Sequence, residues 1–188
     1  MLKRIREFGS YVEITGFKNV KIGNPREFLR LALDGKPANV ETQFFDARNV
    51  ASWQHLHFAA LNALAAFDNK MNRSKTLGME TLLYAAGERQ ITKATDKMGI
   101  KSSTKEVAVL TIGKDRKTVG STVSTILRNV DGQRDDRVLE LSGYKSELIK
   151  KAFGIGETEL ETVMEKGDLE KALIDIVIER MALVSSER

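Results

Sequence analysis

The side chains best suited to bind a ligand are cations spaced along residues 89–101. Arg89, Lys93 and Lys97 are four residues apart, and Lys101 continues the series. Residues four apart are neighbours on a helix surface, where like charges repel by roughly 0.2–0.5 kcal/mol per pair. Asp96 offsets only part of that repulsion. The row is therefore either a solvated helix face or a surface that binds an anionic partner.

Neighbouring residues favour a nucleic acid as that partner. Lys70, Arg73 and Lys75 precede the row and could extend the cationic surface. The Gln90 amide can hydrogen-bond to a base edge, and the Tyr84 ring could stack on a base, a contact worth roughly 1–3 kcal/mol. The predicted nucleic-acid surface consists of Arg73, Lys75, Tyr84, Arg89, Gln90, Lys93 and Lys97.

Two short helices on either side of Gly87 must position these side chains. The first helix repeats apolar residues at i, i+3, i+4 and i+7, which is typical of one buried face. That face consists of Met79, Leu82, Leu83 and Ala86. Tyr84 lies away from it. The apolar side of the second helix, opposite the cations, consists of Ile91, Ala94 and Met98.

The rest of the chain alternates between strand-like and helix-like segments. Alternating or continuous apolar runs predict strands at 11–17, 40–45 and 106–112, with a short edge strand at 138–141. Helical periodicity predicts helices at 25–34, 49–67, 117–130, 144–153, 158–166 and 169–184. Because residues 106–112 are apolar on both faces, we expect them to form an interior strand. The predicted fold is α+β: a single domain over 1–188 with a small sheet wrapped by about seven to eight helices.

The last predicted helix carries more apolar surface than one buried face requires. Asp168 is suited to cap its N-terminus. Beside an ordinary core stripe, Ile174, Ile178 and Met181 form a second apolar stripe. An apolar arc of that width indicates either a helix buried on two sides or a docking surface for another protein. The docking interpretation predicts that these three residues contact the partner.

The sequence offers no residues arranged for catalysis or for binding a metal. His55 and His57 are two apart, so on a regular helix they point in different directions and cannot chelate one ion. The apolar stripe of their helix predicts His57 in the core and His55 on the surface. The chain has no cysteine, and no nucleophile lies near a base in the sequence pattern. We therefore expect no enzyme activity, no cofactor, no metal and no small-molecule substrate.

Composition sets the remaining bounds. The chain has 188 residues, a formal net charge of +4 and a pI near 9.2, a modest basic excess that is compatible with nucleic acid. The absence of cysteine fits an intracellular protein. The first nine residues, MLKRIREFG, lack the apolar run of a signal peptide. The chain contains no run of 18 apolar residues, so no membrane span is predicted. We expect a cytoplasmic protein that does not bind membranes.

Three segments resemble a known protein family. They are HLHFAALNALAAF (His55 to Phe67), SKTLGMETLLYAAGERQI (Ser74 to Ile91) and the strand VAVLTIG. They are similar to the kinase-binding subunit of the KEOPS tRNA-modification complex, the TP53RK-binding protein family, in its archaeal form. The GERQI run after a LLYA helix is the most specific part of the match. The C-terminal third resembles the family in pattern more than in residues.

The resemblance implies a non-catalytic protein with two partners. Members bind the complex's atypical serine/threonine kinase/ATPase on its N-terminal lobe and support threonylcarbamoyladenosine formation in tRNAs that read ANN codons. Archaeal members also recruit tRNA through its single-stranded 3′ CCA end. The matching run assigns this tRNA role to Arg73, Lys75, Arg89 and Gln90, whereas Lys93 follows from spacing alone. The alternative is an adaptor that stimulates a kinase without binding RNA.

Overall fold

The computed structural model describes residues 1–165 and 167–186, which include a five-stranded antiparallel sheet. The strands are β1 (Leu2–Ile5), β2 (Ser10–Lys18), β3 (Val40–Asp46), β4 (Val107–Gly113) and β5 (Gln133–Arg134). Their order is β1-β2-β4-β3, and β5 pairs with the end of β2. β4 lies between β2 and β3 and is buried along its whole length. This confirms the interior strand predicted from its apolar sequence.

Eight α-helices surround the sheet within the described ranges. They are α1 (Pro25–Ala32), α2 (Trp53–Asp68), α3 (Leu77–Ala86), α4 (Ile91–Met98), α5 (Arg116–Asn129), α6 (Gly143–Phe153), α7 (Glu157–Val163) and α8 (Leu169–Ser186). Pro25 starts α1, and the Asp168 carboxylate caps α8 by accepting from the Lys171 N–H at 2.9 Å. None of these helices is long and apolar enough to cross a lipid bilayer. The predicted α+β class is confirmed.

Each face of the sheet supports its own apolar core. Helices α2, α3, α6 and α8 pack on one face, where β2 contributes Val12 and Ile14. Helices α1 and α5 cover the other face around Phe17 and Phe44. Because side chains alternate between the faces of a strand, β2 and β4 supply both cores. The helices that bear the predicted functional residues all lie on the first face.

The segment expected to be an edge strand at 138–141 is instead a 3-10 helix, Asp136–Leu139. It packs directly on Gly16 of β2, whose N–H donates to the Asp136 carboxylate at 2.9 Å. A Cβ at Gly16 would lie 2.5 Å from the Val138 side chain, so only glycine allows this approach. Val138 and Leu139 are therefore apolar because they are buried against β2, and not because they belong to a strand. Strands β1 and β5 were not predicted from the sequence.

The outer edge of β3 is covered by the chain's own side chains. The Lys36 ammonium donates to the Val40 carbonyl, and the Gln43 amide donates to the Phe44 carbonyl at 3.0 Å. Between them, the Thr42 carbonyl faces Gly78 of α3, where an added Cβ would approach it to 3.3 Å. Three alternate carbonyls of the edge strand are thus occupied or shielded.

Candidate nucleic-acid and protein interfaces

The corner between α3 and α4 is fixed by Gly87. Gly87 has a φ of 64°, in the left-handed region that favours glycine. Its N–H donates to the Tyr84 carbonyl at 2.9 Å, and the Glu88 N–H donates to the Leu83 carbonyl at 3.0 Å, a Schellman arrangement that ends α3. Helix α4 begins only at Ile91. Arg89 therefore precedes the helix, and the predicted row does not continue through it at helical spacing.

Lys97 is directed into the protein and not along an exposed row. Its ammonium donates to the Ala86 carbonyl at 2.7 Å, lies 4.0 Å from the centre of the Phe153 ring, and pairs with Glu88 at 3.8 Å. Burial lowers the pKa of the Lys97 ammonium, and the Glu88 charge opposes that effect. The cation thus caps the C-terminus of α3. Lys97 is therefore not part of an exposed cationic surface, contrary to the prediction.

Tyr84 is also unavailable, because α3 is enclosed by α2, α4, α8 and β3. Only 3% of Tyr84 is exposed. Burial raises the pKa of its phenol, and the nearby Arg73 charge opposes that shift. The assumption that α3 has one buried face was wrong, since all of its residues from Glu80 to Ala86 are buried. The base-stacking role expected of Tyr84 is incompatible with this position.

Four residues at the start of α4 remain open to a ligand. Arg89, Gln90 and Lys93 are exposed, and Ile91 is 46% exposed, although its spacing had predicted a core position. Neither Arg89 nor Lys93 forms an ion pair with a residue that the structure describes. We call Arg89, Gln90, Ile91 and Lys93 the α4 edge. It combines two uncommitted cations, one amide and one exposed apolar side chain.

A groove of about 510 Å³ adjoins the α4 edge. It lies between the α3–α4 corner and the ends of α6 and α8, and Lys151 and Arg180 add cations that the sequence reasoning missed. Lys151 is exposed, whereas Arg180 holds Glu159 through two contacts of 2.9 and 2.7 Å. Nothing in the sequence indicates that these residues, far along the chain, lie beside Arg89.

Arg73 and Lys75 form a second group at the start of α3. The fully buried Glu80 carboxylate accepts from the Arg73 N–H at 2.9 Å and the Ser74 N–H at 2.7 Å, which orders this loop. One guanidinium nitrogen of Arg73 donates to the Val184 carbonyl of α8 at 2.9 Å. Lys75 is exposed. Because α3 has ten residues, about 15 Å of helix separates this group from the α4 edge.

Helix α8 buries most of its wide apolar arc within the protein. Met181 is fully buried, so its predicted role in docking a partner is wrong. Ile174 and Ile178 are half-buried and pack against the core. The extra stripe arises because α8 packs against α2, α3, α6 and α7 at once. Only the outward parts of Ile174 and Ile178 remain as a candidate docking surface.

Comparison with known families identifies the chain. The model of the family described as "Kinase binding protein CGI-121" matches residues 17–185. The chain belongs to this family. It is 31% identical over 156 residues to "Regulatory protein Cgi121" of Methanocaldococcus jannaschii, covering 81% of this chain and 92% of that protein. The CGI-121 match includes the α4 edge and α8 but begins after β1 and most of β2.

His55, predicted on the surface, is instead buried, and His57, predicted in the core, is only partly buried. His55 is fully buried, and its Nε2 lies 2.8 Å from the Ala85 carbonyl while its Nδ1 accepts from the Ala51 N–H at 3.2 Å. This network requires the neutral Nε2–H tautomer. Burial lowers the pKa of the His55 imidazole to about 4. His57 is only half-buried, next to Trp53. The ring of His55 is thus a structural link between α2 and α3.

No group of three or more His, Cys, Asp or Glu side chains within residues 1–165 and 167–186 is arranged to hold a metal ion.

Proposed function

We propose that this chain is a non-catalytic KEOPS subunit that binds the complex's atypical kinase/ATPase and recruits tRNA through its 3′ CCA end. In this role it supports threonylcarbamoyladenosine formation in ANN-decoding tRNAs, as a single domain in the cytoplasm. Membership of a kinase-binding family supports the kinase half of the proposal. The α4 edge carries the RNA half, because its cations have no partners among the described residues.

The α4 edge has the chemistry that an unpaired RNA tail requires. Arg89 and Lys93 supply charges for two phosphates, and single-stranded RNA is held chiefly by such contacts together with packing of the bases. Ile91 replaces Tyr84 as the surface against which a base can pack. The Gln90 amide has both a donor and an acceptor for a base edge. Arg73 and Lys75 form a separate cationic group at the other end of α3, about 15 Å away.

An alternative function is a kinase adaptor that does not bind RNA. Two observations favour it: Lys97 is committed to the Ala86 carbonyl, and one arm of Arg73 is committed to Val184. Fewer cations are then free than the sequence suggested. In this alternative the α4 edge is a solvated surface.

A binding assay with and without the RNA tail separates the two functions. We expect intact tRNA to bind at least roughly tenfold more tightly than tRNA trimmed of its 3′ CCA, a difference of about 1.4 kcal/mol. The affinity for the intact form should fall with salt, by about 0.7 in log K per log salt for each single-strand phosphate contact. Electrophoretic shifts at two salt concentrations measure both quantities. Equal affinities for the two RNAs would rule out recognition of the tail.

Charged substitutions on the outward side of α8 test the proposed kinase-binding surface. Replacing Ile174 and Ile178 with glutamate should weaken binding of the purified kinase by roughly tenfold or more, since each glutamate would place a charge in an apolar contact. Calorimetric titration gives the affinity, and tRNA binding should not change. Leu31→Glu is a control for placing a glutamate at a distant apolar site, because Leu31 is an exposed apolar residue on α1, across the sheet. If the α8 variant unfolds in a thermal melt, the two isoleucines belong to the core and not to a docking surface.

A further inference from the structure

Five exposed cations gather at one end of the sheet, away from both surfaces described above. They are Arg4, Arg6, Lys114, Arg116 and Lys117. Lys3 points to the opposite face of the sheet, where its ammonium lies 5.3 Å from the centre of the Trp53 ring. We call the set of five the hairpin patch, because two members lie in the β1–β2 hairpin and three between β4 and the first turn of α5. The hairpin members precede residue 17, where the family match begins.

The strand register brings the two segments together. Arg4 pairs with Tyr11 across β1 and β2, and Tyr11 pairs with Gly113 across β2 and β4. Two strand spacings, about 10 Å, therefore separate Arg4 from the end of β4. The Lys114 ammonium donates to the Phe8 carbonyl at 2.7 Å, which ties the β4–α5 connection to the hairpin. The patch is thus held on a rigid frame.

The charges of the patch are only partly neutralised locally. No patch member forms an ion pair with a described residue. Three carboxylates lie within or beside it: Glu7 in the hairpin turn, Glu13 on β2 and Asp115. Asp115 is occupied in capping α5, where it accepts from the Thr118 N–H and hydroxyl at 2.7 Å each. Counting Glu7, Glu13 and Asp115 against the five cations leaves a net charge of +2.

Two patch members stand where the fold does not favour them. Arg116 and Lys117 occupy the first turn of α5, which contains no acidic residue. The N-terminus of a helix carries partial positive charge, so cations there oppose the helix dipole. Folding alone would favour acids at these positions. An anionic partner would compensate for this unfavourable arrangement.

We infer that the hairpin patch binds the phosphate backbone of a double-helical nucleic acid. A protein partner is disfavoured because the core of a protein interface is apolar, and Met1 is the only large apolar side chain of these two segments that is exposed. A single strand is disfavoured because the Tyr11 ring is half-buried and lies under the Arg4 guanidinium at 5.8 Å, so one face of this ring is already covered. The choice of RNA as this duplex rests on the proposed function. The contact to the backbone does not.

A variant with four substitutions tests the inference. In the full chain, Arg4, Arg6, Arg116 and Lys117 are replaced by glutamine, and binding of a blunt duplex RNA is measured over a range of salt. We expect at least a tenfold loss of affinity and a flatter salt dependence, by about 0.9 in log K per log salt for each lost contact. A short CCA-ended oligonucleotide should bind as before. The matched control replaces four exposed cations elsewhere, Lys21, Arg26, Arg30 and Lys171, and should keep its affinity for the duplex.

A second variant guards against an effect on folding. Arg116→Gln with Lys117→Gln removes the two cations that oppose the α5 dipole, so its melting temperature should be unchanged or higher while its affinity for the duplex falls.

Undiminished duplex binding in both variants would overturn the inference. Tighter binding to polyglutamate than to the RNA would overturn it in favour of an acidic protein. A duplex DNA of equal length that binds equally well supports a contact to the backbone alone. If the unmodified chain does not bind the CCA-ended oligonucleotide, that result contradicts only the function proposed for the α4 edge.

Discussion

Replacing Arg89 and Lys93 with glutamate should reduce the affinity for tRNA by roughly 100-fold, since two charge-assisted contacts are lost and two repulsions are introduced. The fold should survive, because both residues are exposed and unpaired among the described residues. The change should also flatten the salt dependence of binding by about 0.7 in log K per log salt for each lost contact. Electrophoretic shifts at two salt concentrations and a circular dichroism spectrum provide the measurements.

The chain contains a close control for this variant. Arg26 and Arg30 are exposed, four residues apart, and lie on α1 on the other face of the sheet. Replacing both with glutamate makes the same change in net charge, so it reports the effect of overall charge alone. Only the pair at the α4 edge should abolish binding of the CCA tail. If the two variants lose the same affinity, the α4 edge has no specific role and the adaptor without RNA becomes the better account.

The stability of the fold should fall by about 2 kcal/mol between pH 7 and pH 5 through His55 alone. The pKa of the folded imidazole is lowered from 6.5 to about 4, chiefly by burial. Below pH 6.5 the unfolded chain therefore binds a proton that the folded chain excludes, and the unfolding free energy decreases as the pH falls toward 4. Well above pH 6.5 both states are neutral at this site, and the full stability is present.

Denaturant titrations of the wild type and of His55→Gln at several pH values measure this contribution. Glutamine has both an acceptor and a donor to replace the contacts with Ala51 and Ala85, but it does not titrate. Its unfolding free energy should therefore vary less between pH 7 and pH 5. His57→Gln is the comparison, because His57 is only half-buried and should contribute less. Parallel curves for the wild type and His55→Gln would contradict the neutral, buried state of the ring.

Most of the helices and strands could be predicted from the sequence, because their signals are local; β1, β5 and the 3-10 helix at Asp136–Leu139 were the exceptions. The apolar run of β4 indicated an interior strand, and Pro25 and Asp168 marked helix starts where the structure has them. Gly87 separated two helices for a reason that the structure makes plain, its left-handed φ. Each of these signals depends on a few neighbouring residues and on backbone preferences that apply in any fold.

Which face of each helix is buried was much harder to predict from the sequence. Tyr84 and His55 were expected to be exposed, and both are buried, because several elements cover α3 and α2 from sides that one-face periodicity does not anticipate. Lys97 appeared to belong to a row of cations, yet the chain turns at Gly87 and Lys97 returns to cap the helix before it. Arg180 joined the groove from a distant helix. Which side of a helix meets solvent depends on tertiary packing, and no local spacing encodes it.

The shielded border of β3 limits how this protein can assemble with others. A foreign polypeptide can extend a sheet only where free main-chain groups offer it a template. Here Lys36, Gln43 and α3 already cover alternate carbonyls on that side. A peptide joining β3 would first have to displace them, so fibril-like growth from this border is suppressed. Partners that approach this side must instead engage side chains on helices, where recognition depends on shape and charge rather than on a shared ladder.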